Sequence, residues 1–281
     1  LHDCWSFTGH CPHFMAIGCE KWKTGCYECD LYKSYPGCFL DDSRFQYRYK
    51  KKCFTGVPNL TIVTPSQWLA DLVKQSYLKD YNTVVINNGI DLTKFQPRSS
   101  DFRAKYGLEN KILILGVAFD WTPKKGLDDF KRLDEDLPEE YAIVLVGVSD
   151  TVAKTLPDRI ISIACTQNQE ELAEIYSAAD IFVNPTWEDN FPTVNLEALA
   201  CGTPVVTYKT GGSPESITES TGKVVPYKDY VALKNAIFNM KNSKKTLSKN
   251  CCSYAKRYDL QLAYKKYCDL YVALQERNTT K

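Results

Sequence analysis

The stretch WEDNFPTVNLEALACGTPVV, residues 187–206, contains an acidic loop, a helix and the start of a strand. A short apolar run before it, Ile181–Val183, is typical of a buried strand. We expect the helix over Thr193–Ala200, because Gly202 follows it and glycine commonly ends helices. Residues 203–208 then resume as the next strand. This order of strand, acidic loop, helix and strand is typical of an α/β domain.

The acidic loop lies just before the helix. Asp189 or Asn190 can cap that helix, and Pro192 suits its first turn. An open parallel sheet binds ligands where loops leave the carboxyl ends of its strands, and the free N–H groups of a helix N-terminus attract anions there. The sequence therefore predicts a ligand site at this loop.

The rest of the chain extends the pattern. From residue 99 onward, strands and helices alternate at the spacing of βα units, which predicts a parallel sheet covered on both faces. Further strands are expected at residues 111–117, 141–147, 160–164 and 222–227, and further helices at about 127–133, 149–156, 168–179, 229–240, 244–257 and 260–275. Before them, two strands at 61–64 and 83–86 flank a helix at 67–76. The pattern thus extends over most of the chain.

Composition argues against several classes of protein. The 281 residues carry a formal net charge of +1, which gives no argument for binding nucleic acid. The longest apolar runs, such as Ile112–Leu115, are far too short to span a bilayer. The chain starts Leu-His-Asp-Cys-Trp with no signal peptide, so we expect a reducing, cytoplasmic location. We also expect roughly a hundred further residues upstream, from the usual size of such a domain.

Seven of the twelve cysteines precede residue 54. Cys26 and Cys29 have the spacing of a zinc knuckle, and two further thiolates would close a tetrahedral structural zinc site. The predicted ligands are Cys11, Cys19, Cys26 and Cys29. His10 or His13 can substitute for one of them. The alternatives are free buried cysteines, or disulfides if the protein is exported.

The stretch at 187–206 resembles the acidic E-x7-E signature of retaining GT-B glycosyltransferases that use nucleotide sugars. The resemblance implies that Glu197, the second acid, hydrogen-bonds the ribose hydroxyls of the donor, and that the first acid lies against the donor sugar. The first position, eight residues earlier, is Asp189, and Glu188 directly precedes it. The spacing favours Asp189, and Glu188 stays an alternative. The residues implied to hold the diphosphate are Asn190, Phe191, Pro192 and Thr193.

Further motifs resemble the same family in the expected order. Lys125 matches a lysine that binds the donor diphosphate, while the family's arginine is replaced by an uncharged residue in GVAFDW, residues 116–121. Lys124 or amide dipoles can compensate. His2, followed by Asp, matches a histidine that faces the cleft near the donor sugar. The family's GG-x-PE element near the sugar and phosphates corresponds to Gly211, Gly212 and Glu215.

The start of the chain, LHDCWSFTGHC, resembles a subgroup of bacterial capsule, colanic-acid and O-antigen transferases that carry a Cys-rich insertion. The resemblance implies a GT-B type α/β fold, with a Rossmann-like donor domain and the C-terminal part of a second Rossmann-like domain. Residues 1–97 would be the partial N-terminal, acceptor-side domain, with the insertion at 8–38. Residues 98–258 would bind the donor. Residues 259–281 would form a tail and a helix that crosses back to the first domain.

The implied function is transfer of a sugar, with retention, from a nucleoside-diphosphate sugar to a saccharide or lipid-linked acceptor in surface polysaccharide synthesis. It needs no catalytic metal, and the subgroup implies peripheral association with the inner membrane face. One alternative is a non-catalytic, zinc-stabilised module that binds a nucleotide or a partner. Another is a sugar-nucleotide epimerase. A dehydrogenase is disfavoured because no G-x-G-x-x-G follows an early strand.

Overall fold

The computed structural model describes residues 1–279, which form two compact units. The first unit contains Leu1–Asn87 and the short segment Glu188–Phe191. The second contains Asn88–Trp187 and the chain from Pro192 onward. The acidic loop that the sequence singles out is therefore assigned to the first unit, although its neighbours along the chain belong to the second.

The first unit combines a region of turns with a small α/β part. Three single 3₁₀ turns lie at Trp5–Phe7, Met15–Ile17 and Lys21–Lys23. The regular elements are α1 (Ser43–Thr55), β1 (Thr61–Thr64), α2 (Gln67–Val73) and β2 (Asn82–Val85). The two strands pair in parallel. Sequence patterning does not predict α1, because its aromatic and basic residues show no clear apolar period.

An aromatic cluster forms the core of the first unit. The ring of Trp22 stacks on Phe14, with centroids 4.9 Å apart, and packs against Phe7 at 5.4 Å. All three rings are buried together with Leu69 and Val73 of α2. Large aromatic side chains bury much apolar surface each. The turn region therefore packs on α2 through its rings rather than through a sheet of its own.

The second unit is built on a parallel sheet, which has six strands within the described chain. They are β3 (Ile112–Val117), β4 (Tyr141–Val146), β5 (Ile160–Ile163), β6 (Ile181–Asn184), β7 (Val205–Tyr208) and β8 (Gly222–Val225). The order across the sheet is β5-β4-β3-β6-β7-β8. This order reverses between β3 and β6, so their carboxyl ends form the switch point at which open parallel sheets bind ligands.

Helices cover this sheet. They are α3 (Phe102–Lys105), α4 (Leu127–Asp136), α5 (Asp150–Ala153), α6 (Gln169–Ala178), α7 (Thr193–Ala200), α8 (Tyr230–Met240), α9 (Lys244–Ala255) and α10 (Leu260–Thr279). Every residue of β4 and all four inner residues of β3 are buried, as expected for strands covered on both faces. The predicted α/β class and parallel sheet are confirmed. Ser66 and Ser149 cap the starts of α2 and α5, where their hydroxyl oxygens accept backbone N–H bonds of 3.2 and 3.4 Å.

The predicted cap of α7 is wrong. Pro192 occupies the cap position, and α7 has no side-chain cap. Neither Asp189 nor Asn190 caps the helix, and both belong to the first unit. There the Asn190 side-chain amide donates to the carbonyl of His2. No side chain at the cap position therefore accepts from the N–H groups that begin α7.

The short segment that follows β2, residues 88–90, belongs to the second unit. The N–H of Ile90 donates to the carbonyl of Tyr258 at 2.8 Å, and the N–H of Leu260 donates back to Ile90 at 2.9 Å. A Cβ on Gly89 would lie 2.6 Å from the Cα of Leu260, so only glycine permits this approach. These contacts place the division after Asn87, ten residues before the predicted limit at residue 97. The predicted functional domain limits stay a prediction.

The last helix, α10, extends beyond its predicted end at residue 275. The final two residues of the predicted tail, 280 and 281, lie outside the described residues. The apolar side chains of α10 are covered unevenly, since Ala263 is buried whereas Tyr264 and Tyr271 are 54% and 64% exposed. Docking of this helix on the first domain stays a prediction. Among residues 1–279 we find no helix with the length and apolar character needed to cross a bilayer.

Candidate functional site

Polar residues gather at the carboxyl edge of the second unit's sheet. Lys124 and Lys125 lie in a 3₁₀ turn after β3, Glu197 lies on α7 after β6, and Gly211 and Gly212 follow β7. Because the carboxyl ends of parallel strands meet at one edge, these residues lie around the switch point. The structure thus brings the predicted lysines, the second acid and the glycine pair to the same edge.

The lysine turn is fastened to the segment that follows β6. The carbonyl of Lys124 accepts from the N–H of Trp187 at 2.8 Å and from the Thr186 hydroxyl at 3.4 Å. Gly126 ends the turn with φ +80°, and a Cβ there would lie 2.3 Å from Cγ of Pro185. Both the left-handed backbone and the close approach require glycine. The two loops at the switch point therefore form one connected structure.

Trp187 also connects this structure to the loop after β7. Its carbonyl accepts from the Thr210 hydroxyl at 2.9 Å, directly before Gly211, which has φ +51°. The Nζ of Lys228 lies 3.9 Å from the centroid of its ring. The indole Nε1 is buried and has no hydrogen-bond partner in the described chain. A buried donor without a partner is unusual in proteins, so this N–H is a candidate ligand contact that sequence patterning does not reveal.

Glu197 is held by two side chains. The hydroxyl of Tyr176, a fully buried residue of α6, donates to Oε2 of Glu197 at 3.0 Å. Burial raises the pKa of the Glu197 carboxyl, and the hydrogen bonds from Tyr176 and Thr193 oppose that rise. A carboxylate accepts about four hydrogen bonds. The side chain is therefore fixed in position and keeps acceptor capacity for a ligand.

A buried polar network, which the sequence analysis did not anticipate, ties α7 to the turn after the glycine pair. Nδ2 of Asn195 donates to Ser213 Oγ at 2.9 Å and Ser216 Oγ at 3.3 Å, and its Oδ1 accepts from Asn184 at 2.9 Å. The hydroxyls of Thr207 and Ser213 lie 2.8 Å apart. The one signal in the sequence is Asn195, which stands beside apolar residues in α7 and is fully buried. The network fixes the glycine turn relative to α7.

The predicted acids before α7 differ in their surroundings within the first unit. Glu188 is 7% exposed, and its Oε1 accepts from the N–H of Ala16 at 3.1 Å. Asp189 is half-buried. The Asn190 amide donates to the carbonyl of His2, whose side chain is exposed, while Asn190 Oδ1 is buried without a partner among residues 1–279. The structure therefore gives Glu188 a backbone partner and places His2 beside Asn190.

Three other residues predicted to bind the donor are Phe191, Pro192 and Glu215. Phe191 and Pro192 are buried, and Glu215 is half-buried. The carbonyl of Glu215 accepts from the hydroxyls of Tyr254 and Tyr258 at 3.5 and 3.3 Å. The roles of these residues in binding a ligand stay predictions.

The four predicted zinc ligands lie close together in the first unit. Together with His10 they line a cavity of about 20 Å³. All twelve cysteines are free thiols. Within the described part of the chain, however, no group of three or more His, Cys, Asp or Glu side chains is already arranged to hold a metal ion. The zinc site stays a prediction.

Comparison with known proteins finds similarity to one family within the second unit. The sequence model of the family described as glycosyl transferases group 1 matches residues 109–242. A protein of Escherichia coli K12 described as a colanic acid biosynthesis glycosyl transferase, WcaC, is 27% identical over 243 residues, which are 83% of this chain and 56% of that protein. The D-inositol 3-phosphate glycosyltransferase of Mycolicibacterium smegmatis is 33% identical over 147 residues, 48% of this chain and 34% of that protein. The chain thus spans about half or less of these relatives.

Solved structures share the fold. Sucrose-phosphate synthase from Thermosynechococcus elongatus superposes with a TM-score of 0.70 and 26% identity, over 82% of this chain and 62% of that one. Anabaena HepE in complex with UDP also gives 0.70, with 19% identity, over 82% of this chain and 68% of that one.

Proposed function

We propose that the protein transfers a sugar from a nucleoside-diphosphate sugar to a saccharide or lipid-linked acceptor, with retention at the anomeric carbon, because residues 109–242 match the glycosyl transferases group 1 family and the chain shares its fold with sucrose-phosphate synthase. The observation that carries the proposal is the Glu197 carboxylate, fixed by Tyr176 beside the switch point. The similarity to WcaC supports a role in polysaccharide synthesis. HepE, which shares the fold, was solved with UDP and with UDP-glucose, the proposed class of donor.

The proposed chemistry breaks the bond between the sugar and the diphosphate and forms a bond to an acceptor oxygen, which loses its proton. The leaving diphosphate gains negative charge, so it needs positive charge already in place. Lys125, Lys124 and the uncapped N–H groups that begin α7 supply that charge. This set performs the task that a catalytic metal performs in other enzymes.

Glu197 binds the ribose in this proposal. Its free acceptor capacity and its fixed position suit a pair of adjacent hydroxyls. Asp189 orients the sugar, and His2 assists from the same unit. Asp189 is favoured over Glu188 because the buried carboxylate of Glu188 already accepts a backbone N–H. Gly211 and Gly212 let the backbone approach the ligand closely.

The first test is calorimetric binding of a panel of nucleoside diphosphates to the wild-type chain, Glu197→Ala and Glu219→Ala. Glu219 is an exposed acid of the same unit and serves as the matched control. Losing the ribose contact costs about 1–3 kcal/mol, which weakens affinity by roughly 5- to 150-fold. Equal affinities for the two variants would contradict the assignment of Glu197.

The same binding depends on pH in a predictable direction. Burial raises the pKa of Glu197, so the carboxylate becomes protonated at a higher pH than an ordinary glutamate. A protonated carboxyl accepts fewer hydrogen bonds from the ribose. Affinity is therefore lost as pH falls through this raised pKa, and the loss is absent in Glu197→Ala.

Product analysis separates this proposal from the alternatives. A transferase yields a glycoside and free nucleoside diphosphate, an epimerase yields only an isomerised sugar, and a non-catalytic module yields neither. Inversion at the anomeric carbon, read by NMR of the product, would overturn the retaining mechanism while leaving sugar transfer intact.

The proposed site of action is the cytoplasmic membrane face, where a lipid-linked acceptor would lie. The support is α1, whose Arg44, Arg48 and Lys51 line a cavity of about 380 Å³ with Tyr27 and Tyr47. Basic surfaces with nearby aromatic residues favour anionic lipid headgroups.

A further inference from the structure

The turn region of the first unit lacks the usual sources of stability. Between Leu1 and Asp42 the backbone forms three single 3₁₀ turns and no strand or α-helix. Such a segment has few backbone hydrogen bonds to offset the entropy of ordering it. Its ring cluster supplies apolar burial, but irregular segments of this size are commonly stabilised by disulfides or a metal ion.

Four thiols meet within this segment. Cys11, Cys19, Cys26 and Cys29 lie in the irregular stretches between and after the 3₁₀ turns and line one cavity. The cavity volume of about 20 Å³ is close to what a single water molecule requires, so it admits one ion-sized occupant.

Groups that favour thiolates surround the cavity. The N–H of Gly9 donates to Sγ of Cys26 at 3.1 Å, and the N–H of Leu31 bonds the Cys29 sulfur. Lys50, which is 4% exposed, places its charge near Cys26. Bonds from N–H groups and a nearby cation favour the charged form of a thiol. Burial nevertheless raises the pKa of Cys26 to about 11, so these contacts offset only part of the cost of ionising its thiol.

His10 adds an independent observation. It lines the same cavity, and its Nε2 is buried without a hydrogen-bond partner within residues 1–279. A buried polar nitrogen without a partner calls for an occupant or a moved neighbour. Hydrogen bonds from neighbouring side chains orient metal ligands, and this nitrogen can donate one to a bound thiolate.

We propose that the first unit binds one Zn²⁺ through Cys11, Cys19, Cys26 and Cys29, with His10 donating a hydrogen bond to the cluster. Zinc fits because it takes four thiolates in a tetrahedron and has no redox chemistry. Within the described residues no three such side chains are already arranged to hold a metal ion, so the proposal requires that the thiols move together on binding. Each thiol loses its proton on binding, which releases four protons and makes zinc affinity fall at low pH.

The site is structural and independent of sugar transfer. Its role is to cross-link turns that are far apart in the chain, which constrains the unfolded state and adds binding energy to folding. Removing the ion is therefore expected to loosen residues 1–42 while leaving nucleotide affinity in the second unit measurable.

The test measures zinc per chain by mass spectrometry in wild type, Cys26→Ser and Cys53→Ser. The proposal expects about one ion per chain in wild type and Cys53→Ser, and close to none in Cys26→Ser. Cys53 is an exposed thiol of the same unit, outside the cavity, and is the matched control. Zinc retained by Cys26→Ser would overturn the proposal.

Cobalt titration of the wild-type chain covers the case in which Cys26→Ser does not fold. Tetrahedral thiolate ligation gives sulfur-to-cobalt charge-transfer bands and intense visible bands, which zinc then abolishes. A folded, reduced chain that shows neither would overturn the proposal. So would a mass, measured without reductant, that shows disulfides among these four residues.

Discussion

Glu188 and Asp189 are adjacent acids whose surroundings differ. Glu188 is buried and bonded to the Ala16 backbone, whereas Asp189 is half-buried. We predict that Asp189→Asn lowers kcat by about 100-fold or more while nucleotide affinity changes little, because the residue acts on the sugar. Steady-state kinetics and calorimetry on one protein preparation separate the two quantities.

Glu188→Gln is the matched control for that prediction. Its amide oxygen still accepts the Ala16 N–H, so folding and kcat are expected to stay near wild type. If Glu188→Gln loses kcat and Asp189→Asn keeps it, the two roles are exchanged.

At the residue scale, sequence patterning finds side chains whose partners lie nearby in the chain or belong to a motif. Glu197 and Lys125 are such residues. The bond between Glu188 and Ala16 joins positions 172 residues apart, and no local pattern encodes it. The unpartnered Nε1 of Trp187 is likewise a product of the assembled fold.

At the element scale, the lysine turn depends on one glycine. A Cβ at Gly126 would meet Pro185 at 2.3 Å, and φ is +80°. We predict that Gly126→Ala costs about 1–2 kcal/mol for the left-handed backbone and more for the clash, and that it also weakens diphosphate binding. Chemical denaturation and calorimetry measure the two effects.

Gly107→Ala isolates the contribution of the clash. Gly107 has φ +65°, but a Cβ there meets nothing within 4 Å. The Gly107→Ala variant should lose only the part of its free energy of unfolding that the left-handed backbone costs. It should bind nucleotide like wild type. Equal losses of stability in the two variants would show that the contact with Pro185 does not matter.

The elements that sequence predicts well share a physical cause. The strands of the second unit are buried on both faces, so their apolar runs are nearly continuous. Ser66 and Ser149 mark the starts of helices, because each side chain accepts a hydrogen bond from the backbone N–H three residues later. α1 has no such pattern, and the cap of α7 is mispredicted because the residues before it bond within the first unit. Local sequence patterns mispredict structure where the side chains of a segment bond to a distant part of the chain.

At the scale of the whole molecule, a net charge of +1 gives no general attraction to membranes. Any binding to anionic lipid must therefore come from the local distribution of charge. α1 carries Arg44, Arg48 and Lys51 on the wall of one cavity. Phe45 and Tyr49 on the same helix are 59% and 56% exposed and stack at 5.8 Å. Such a surface joins electrostatic attraction to apolar insertion at the headgroup level.

We predict that the chain binds vesicles containing anionic lipid and that replacing Arg44, Arg48 and Lys51 by Gln weakens this binding. Each basic residue near a charged membrane contributes about 1 kcal/mol, so the loss should reach roughly 10- to 150-fold and shrink as salt is raised. Cosedimentation with vesicles measures it. The control replaces three exposed lysines of the second unit, Lys154, Lys223 and Lys249, by Gln and removes the same charge. A general charge effect would weaken both variants equally, whereas a membrane-binding surface on α1 requires that the control bind like wild type.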